Sequence, residues 1–302
     1  MEINIIKAIQ SISNAFFDTF FLLCTRLGEE IFFFVLFSIF YWCYSKKSAL
    51  KLSVFYMISA GVNFVLKALI SRPRPYVADS SIINKKPAYG TSFPSGHSQS
   101  YALLATTTSL ENHKYHHGSK SFRITIDIVL ILGGCLVALS RMYLGQHYLT
   151  DTIAGLLIGF AVAYLCEMVF LSIEKKMSKK TIVIMLVCGA IFGLLAILVL
   201  ALMKVDSVSV YKYLLIAICL IVGYFLEDRY IHYQPSTHAK KSLIRAVVGV
   251  FVLLVVYILI KCLIPNDWST YLVCVLGSFM STILLPWVFK MLDKEGKNHD
   301  HV

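Results

Sequence analysis

Residues 140–173 read SRMYLGQHYLTDTIAGLLIGFAVAYLCEMVFLSI. Polar groups crowd the start of this stretch: Ser140, Arg141, Gln146, His147, Thr150 and Asp151. An apolar run follows to Ile173, broken by a single charge at Glu167. About 20 such residues cross the hydrocarbon core of a bilayer as a helix. A membrane span therefore starts on a histidine and a carboxylate, four residues apart and on one helix face. Everything else in the chain is read outward from that combination.

Composition agrees with a membrane protein. The chain has 302 residues, 58% hydrophobic and 15% charged, against roughly 45–50% and about 25% in soluble domains. Apolar runs predict spans at 27–44, 48–71, 95–110, 124–143 and 147–173, then at 181–203, 211–225, 243–264 and 271–289. In residues 1–26, Ile5, Ile9, Ile12, Phe16, Phe20 and Leu23 fall at helical spacing. Gln10, Ser13, Asn14 and Asp18 make that segment polar for a span, so it either lies in the interface or crosses packed against other helices. The total is nine spans or ten, an all-α polytopic helix bundle.

The net charge of +11 follows from loops between spans, so nucleic acid is not an expected partner. Lysines and arginines at 46–51, 114–123, 175–180, 229–245 and 290–297 account for 17 of the 28 basic residues. They fall on one face, which the positive-inside rule makes cytoplasmic. The eight cysteines are scattered without a CxxC pair and read as small apolar side chains. No cleavable signal peptide is evident, since polar residues from Gln10 to Asn14 interrupt any apolar core.

The opposite face collects the chemistry. Lys67 to Pro75 reads KALISRPRP, residues 94–97 read PSGH, and Ser140 to Asp151 completes the set. Lys67, Arg74 and Arg141 together repel one another in a partly dehydrated pocket unless an anion joins them. Arginine's planar fork suits phosphate oxygens. Ser95 fits as the N-cap of the third span. Gly96 admits a close ligand, and the helix N-terminus is a phosphate seat. His97 stands where it can give a proton to a leaving oxygen. A carboxylate at Asp151 fixes the tautomer of His147 and frees its other nitrogen for attack on phosphorus. The cations supply the charge that a metal supplies elsewhere, so neither metal nor cofactor is expected.

The three stretches resemble the signature of the type 2 phosphatidic acid phosphatase family, KxxxxxxRP, PSGH and SRxxxxxHxxxD. That family shares a superfamily with bacterial acid phosphatases and vanadium haloperoxidases. All 11 fixed positions are present, in order and at the right spacing. The resemblance covers roughly Leu27 to Ile173. It implies phosphate binding by Lys67, Arg74, Ser95, Gly96 and Arg141, with His97 as general acid, His147 as nucleophile and Asp151 as its partner. It also implies a six-helix core, with residues 1–26 as the first membrane helix and 27–177 as the rest. Residues 178–302 then form a four-helix membrane module to which no family role carries over.

The expected function is hydrolysis of a phospholipid or polyprenyl mono- or diphosphate, drawn from membrane lipid, through a phosphohistidine. The site is expected on the extracytoplasmic face, with the C-terminus cytoplasmic, in a bacterial plasma membrane. The same site serves a phosphotransferase equally well. A lipid or ion transporter is the reading from another class, but the membrane midplane lacks paired charges. Arg72 is either an idle neighbour of Arg74 or a lure for anionic substrate. The loop 76–93, with Asp79, Lys85 and Lys86, borders the substrate entrance. His113, His116 and His117 read as a solvated loop. Glu227 and Asp228 read as helix-end residues near the cytoplasm, and the run IFFFVLFSIF as lipid-facing. Nothing in the sequence sets an oligomeric state.

Overall fold

The computed structural model describes residues 1–86, 88, 90–114, 119–174, 188, 191, 195, 207–236, 238–266 and 268–299. Every regular element among them is helical. The predicted span at 181–203, apart from residues 188, 191 and 195, lies outside the described residues, as do His116 and His117.

Residues 1–26, expected as one amphipathic or membrane helix, form two: α1 (Glu2–Gln10) and α2 (Ala15–Arg26). The break has a local cause. Asn14 takes an extended backbone, and its side chain accepts the Phe17 N–H at 2.9 Å. That N-cap starts a new helix. Neither helix has the about 20 residues of a crossing segment, so residues 1–26 add no single long helix to the predicted core.

Next come α3 (Glu30–Ile39) with a π-turn at Phe40–Tyr44, α4 (Lys46–Ile70), α5 (Pro75–Ala78), α6 (Gly96–Lys114), α7 (Lys120–Tyr143) and α8 (Leu149–Glu174). The C-terminal helices are α9 (Ser207–Leu226), α10 (Ala239–Leu263), α11 (Trp268–Phe279) and α12 (Leu285–His299). Five helical segments among the described residues are long and apolar enough to cross a membrane. The chain is an integral membrane protein.

By packing, the chain falls into two compact units: Met1–Phe33 with Val54–Asp206, and Phe34–Ser53 with Ser207–Val302. In the first unit, α6 is the polar helix, and its place explains why. Ser98, Gln99, Thr107, Glu111 and Asn112 are all buried. Gln99 accepts from Asn63 at 2.7 Å and donates to the Ser59 carbonyl at 2.7 Å, both on α4. The outward faces of α7 and α8 instead expose Ile128, Val129, Ile131, Leu157, Phe160 and Leu165. The polar helix is thus wrapped by helices whose apolar faces suit lipid. Two small residues bring α6 and α8 together. A Cβ on Gly155 would stand 2.5 Å from the Ser95 carbonyl oxygen, and one on Gly159 would stand 2.2 Å from that of Gln99. This is the small-xxx-small device of membrane helix contacts.

In the second unit, Trp42 donates from Nε1 to the Ser281 carbonyl at 2.7 Å, and its ring lies against Gly249. Glu227 is fully buried, accepting from Tyr41 at 3.0 Å and Lys46 at 2.9 Å. It ends a helix, as predicted, but inside the protein. The Phe-rich run also differs from its lipid-facing expectation: Phe33 and Phe37 are buried, and most of the rest is half-buried. Aromatic packing accounts for this, with Phe33 stacked on Tyr56 at 3.8 Å in the first unit and Phe37 beside Tyr41 in the second.

Candidate active site

The end of α4 sets the first cations. Lys67 lies in its last turn and donates to the Thr91 carbonyl at 2.7 Å. Pro73 and Pro75 prevent the helix from continuing. Arg74, between them, takes an extended backbone and starts α5. Its buried guanidinium donates from Nε to the Gly90 carbonyl at 3.0 Å and from one terminal nitrogen to the Gln146 carbonyl at 3.1 Å. That same nitrogen lies 3.3 Å from His147 Nε2. Arg141, at the end of α7, is 3% exposed and donates to the Thr25 hydroxyl at 2.7 Å. Arg74 and Arg141 both lie within electrostatic reach of Lys67.

The start of α6 follows the sequence reading closely. Ser95 is the cap: its hydroxyl faces the Ser98 N–H at 3.4 Å and its carbonyl accepts from Gln99 N–H at 3.0 Å. Its own N–H donates to the Asp151 carbonyl at 3.0 Å, which ties the starts of α6 and α8 together. Gly96 faces Asn63, whose side-chain oxygen would stand 3.4 Å from a Cβ there, an ordinary van der Waals contact. His97 is half-buried, with the charges of Arg141, Lys86 and Arg74 and the ring of His147 around it.

His147 and Asp151 meet, though not by sharing a helix face. His147 precedes α8, which begins at Leu149. Asp151 reaches back from the first turn and accepts the Tyr148 N–H at 2.9 Å, as in a capping box. That puts its carboxylate 3.6 Å from His147 Nδ1. Ser92 donates its hydroxyl to the same carboxylate oxygen. An Arg74 N–H facing Nε2 makes that nitrogen the acceptor and leaves the ring proton on Nδ1, toward Asp151. The His147 pKa lies well below the ordinary histidine value. Burial is the main cause, followed by the charges of Arg141, Lys67 and Arg74. A neutral imidazole with its lone pair turned into a cluster of cations can attack an anionic phosphorus centre once an anion neutralises them.

Residues 48–175 match the PAP2 superfamily, and residues 211–297 match the PAP2 superfamily phosphatase transmembrane extension. The chain belongs to the PAP2 superfamily. Among curated PAP2-like relatives, the probable sphingosine-1-phosphate phosphatase of Dictyostelium discoideum is 29% identical over 164 residues, 52% of this chain and 40% of that one. Undecaprenyl-diphosphatase BcrC of Bacillus subtilis is 24% identical over 171 residues, 55% of this chain and 82% of that one. Phosphatidylglycerophosphatase B of the same organism is 30% identical over 106 residues, 35% of this chain and 50% of that one. A solved PAP2-type phosphatidylglycerolphosphate phosphatase from Bacillus subtilis shares the fold, with a TM-score of 0.50 at 24% identity, over 59% of this chain and 86% of that one.

All eight PAP2 signature residues singled out in the sequence fall in this one region. Several neighbours were not legible there. Arg72 is neither idle nor a free lure: it donates to Asp151 at 2.7 Å and to Glu2 at 2.7 Å, and lies 3.7 Å over the Tyr148 ring. Glu2 also accepts the Thr150 N–H at 2.9 Å, capping α8 from the far end of the chain. Glu29 pairs with Arg26 at 2.7 Å and Lys86 at 2.6 Å. Burial opposes its charge, but these two cations hold its pKa below the ordinary glutamate value. Arg141 lies within reach of Glu29. A chain-terminal glutamate and a loop lysine carry no local signal for such pairings.

Proposed function

We propose that the chain is a membrane phosphatase that removes phosphate from a lipid mono- or diphosphate ester through a phosphohistidine on His147. The observation that carries this reading is the orientation of His147, with Nε2 beside the Arg74 guanidinium and Nδ1 toward Asp151. The names of its relatives, which include sphingosine-1-phosphate and undecaprenyl diphosphate as substrates, agree with a lipid bearing phosphate.

Lys67, Arg74 and Arg141 bind the phosphate's outer oxygens, joined by the N–H groups at Gly96 and His97. Nε2 attacks phosphorus in line with the leaving oxygen, and Asp151 stabilises the imidazolium that forms. His97 gives its proton to that oxygen. Water then attacks the phosphohistidine, losing its proton to His97, and orthophosphate departs. The cations take the place of a metal ion in this scheme. The site opens to the extracytoplasmic face, opposite the basic loops.

Phosphoenzyme trapping tests the scheme. Purified protein, supplied with a labelled lipid phosphate in the presence of a chelator, should form an acid-labile, base-stable adduct. His147→Ala should form none. His97→Ala should still accumulate it from a substrate with a good leaving group. Equal labelling of His147→Ala removes the nucleophile assignment, and loss of turnover with chelator removes the metal-free scheme.

A further inference from the structure

The phosphohistidine scheme leaves the loop cation Lys86 unused. Lys86 lies in the loop between α5 and α6, and it is anchored across the site. Its carbonyl accepts the Gln146 side-chain N–H at 2.5 Å, next to His147. Its ammonium reaches Glu29 at 2.6 Å. Glu29 follows Gly28, and a Cβ on Gly28 would stand 2.7 Å from the His97 carbonyl oxygen and 2.8 Å from the His97 Cβ. Lys86 therefore spans from the His147 side to the His97 side, the side from which the leaving group departs. Its charge is among those that reach the His97 ring. Lys85, its neighbour, turns elsewhere, to Asp18 at 2.8 Å and Ser13 at 2.6 Å.

The Lys86–Glu29 pair is built to exchange. Glu29 keeps Arg26 at 2.7 Å when Lys86 leaves, so no carboxylate is stranded. The Lys86 side chain is 28% exposed and that of Glu29 15%, so the ammonium end of the pair keeps contact with solvent. Lysine's flexible stem lets the ammonium swing to a new anion. A monoester leaves as an alcohol, which needs the His97 proton and no second cation. A diphosphate leaves as a lipid monophosphate, which brings a second phosphate group to the His97 side.

Resting on the phosphatase reading, we propose that Lys86 binds the phosphate that stays on the lipid, making a diphosphate ester the preferred substrate. His147 Nε2 forms its bond to the terminal phosphorus as the bond from that phosphorus to the bridging oxygen breaks. The electron pair stays on the bridging oxygen, now a terminal oxygen of the lipid monophosphate. Lys86, released from Glu29, neutralises the charge that gathers there. Water then releases orthophosphate from the histidine and delivers one proton to solvent.

The test compares farnesyl diphosphate with farnesyl monophosphate, two probes with one tail, on the purified full chain. The readout is the ratio of kcat/KM for the diphosphate to that for the monophosphate. The wild-type ratio should exceed one. Lys86→Ala should lower it by about tenfold or more, the effect of one charge-assisted hydrogen bond. Lys86→Arg should keep most of it. The ratio compares two substrates on the same folded molecules, so partial misfolding cancels. An unchanged ratio in Lys86→Ala overturns the proposal, and so does a wild type that favours the monophosphate; both leave the phosphatase reading intact. A wild type that releases phosphate from neither probe, like His147→Ala, overturns that reading and this proposal with it.

Discussion

Arg72→Ala separates two roles for an arginine that the sequence leaves ambiguous. The structure makes Arg72 a positioning residue: it holds Asp151 through one guanidinium nitrogen and Glu2 through the other. Asp151 is fully buried, so loss of a charge-assisted bond to it costs about 1.5–3 kcal/mol. The Arg72–Glu2 pair, 28% and 27% exposed, adds no more than about 1 kcal/mol. The expected loss of stability is thus about 1.5–4 kcal/mol, read as a lower thermal midpoint in detergent. The effect on turnover is separate. A carboxylate that shifts by roughly 1 Å lets the imidazole turn, and a misplacement of that size costs about 100-fold. The variant should therefore show kcat reduced by that order with KM nearly unchanged, at low and high salt alike. If Arg72 instead attracts anionic substrate, KM rises, kcat holds, and the defect fades as salt screens the field. That second pattern, measured by phosphate release across a salt series, refutes the clamp.

The site should also respond to acid in a defined direction. Cations oppose the His147 imidazolium, so Lys67→Gln raises the His147 pKa and should move the acidic limb of kcat/KM upward relative to wild type; an unmoved limb contradicts that electrostatic cause. The buried neutral ring stabilises the fold in full above its unfolded pKa, about 6.5, and that contribution is lost as pH falls below it. Gly159→Ala drives a methyl into the Gln99 carbonyl and should cost about 1–3 kcal/mol by overpacking, with a lower thermal midpoint; an unchanged midpoint denies the close contact of α6 and α8. In the second unit, Glu227→Ala strands the Lys46 ammonium and the Tyr41 hydroxyl. It should destabilise by about 3–5 kcal/mol, read by chemical unfolding, and a change under about 1 kcal/mol would show the pair to be solvated.

What could be read from the sequence was what repeats locally. Apolar run length gave α4, α7, α8 and α10 to within a few residues, because a span must bury about 20 residues whatever its neighbours do. The spacing from Lys67 to Arg74 and from Arg141 to Asp151 gave the cluster, because each group rides on one helix end. The rest depends on partners far away in the chain. Asn14 splits the N-terminal segment through its own side chain, a cap that reads in the sequence only as one more polar residue in an amphipathic run. Glu2 with Thr150 and Thr25 with Arg141 join positions more than a hundred residues apart. The burial of Glu227 depends on Tyr41 and Lys46, far earlier in the chain. Even the His147–Asp151 pair, foreseen by spacing, is made by a capping carboxylate at a helix start and not by helical periodicity.

Two helix N-termini, those of α6 and α8, border the proposed phosphate site, and they are filled differently. Both ends carry a positive dipole and unpaired N–H groups, so either would take a phosphate. At α8, protein carboxylates already occupy the position: Asp151 takes the Tyr148 N–H and Glu2 takes that of Thr150. At α6, among the described residues, the Ser98 N–H meets the neutral Ser95 hydroxyl and no carboxylate stands in front. Lys67, Arg74 and Arg141 surround the His97 and His147 side of that helix start. The negative charges of the site are therefore spent on closing α8 and orienting His147, and the proposed scheme seats the phosphate at the start of α6. Glu2→Gln should weaken the cap on α8, since a neutral amide accepts the Thr150 N–H less strongly and releases Arg72. Its kcat should fall in the same sense as that of Arg72→Ala and by less, because Arg72 still reaches Asp151. A Glu2→Gln variant with a larger defect than Arg72→Ala would place Glu2 itself at the substrate, and the division between the two helix starts would be wrong.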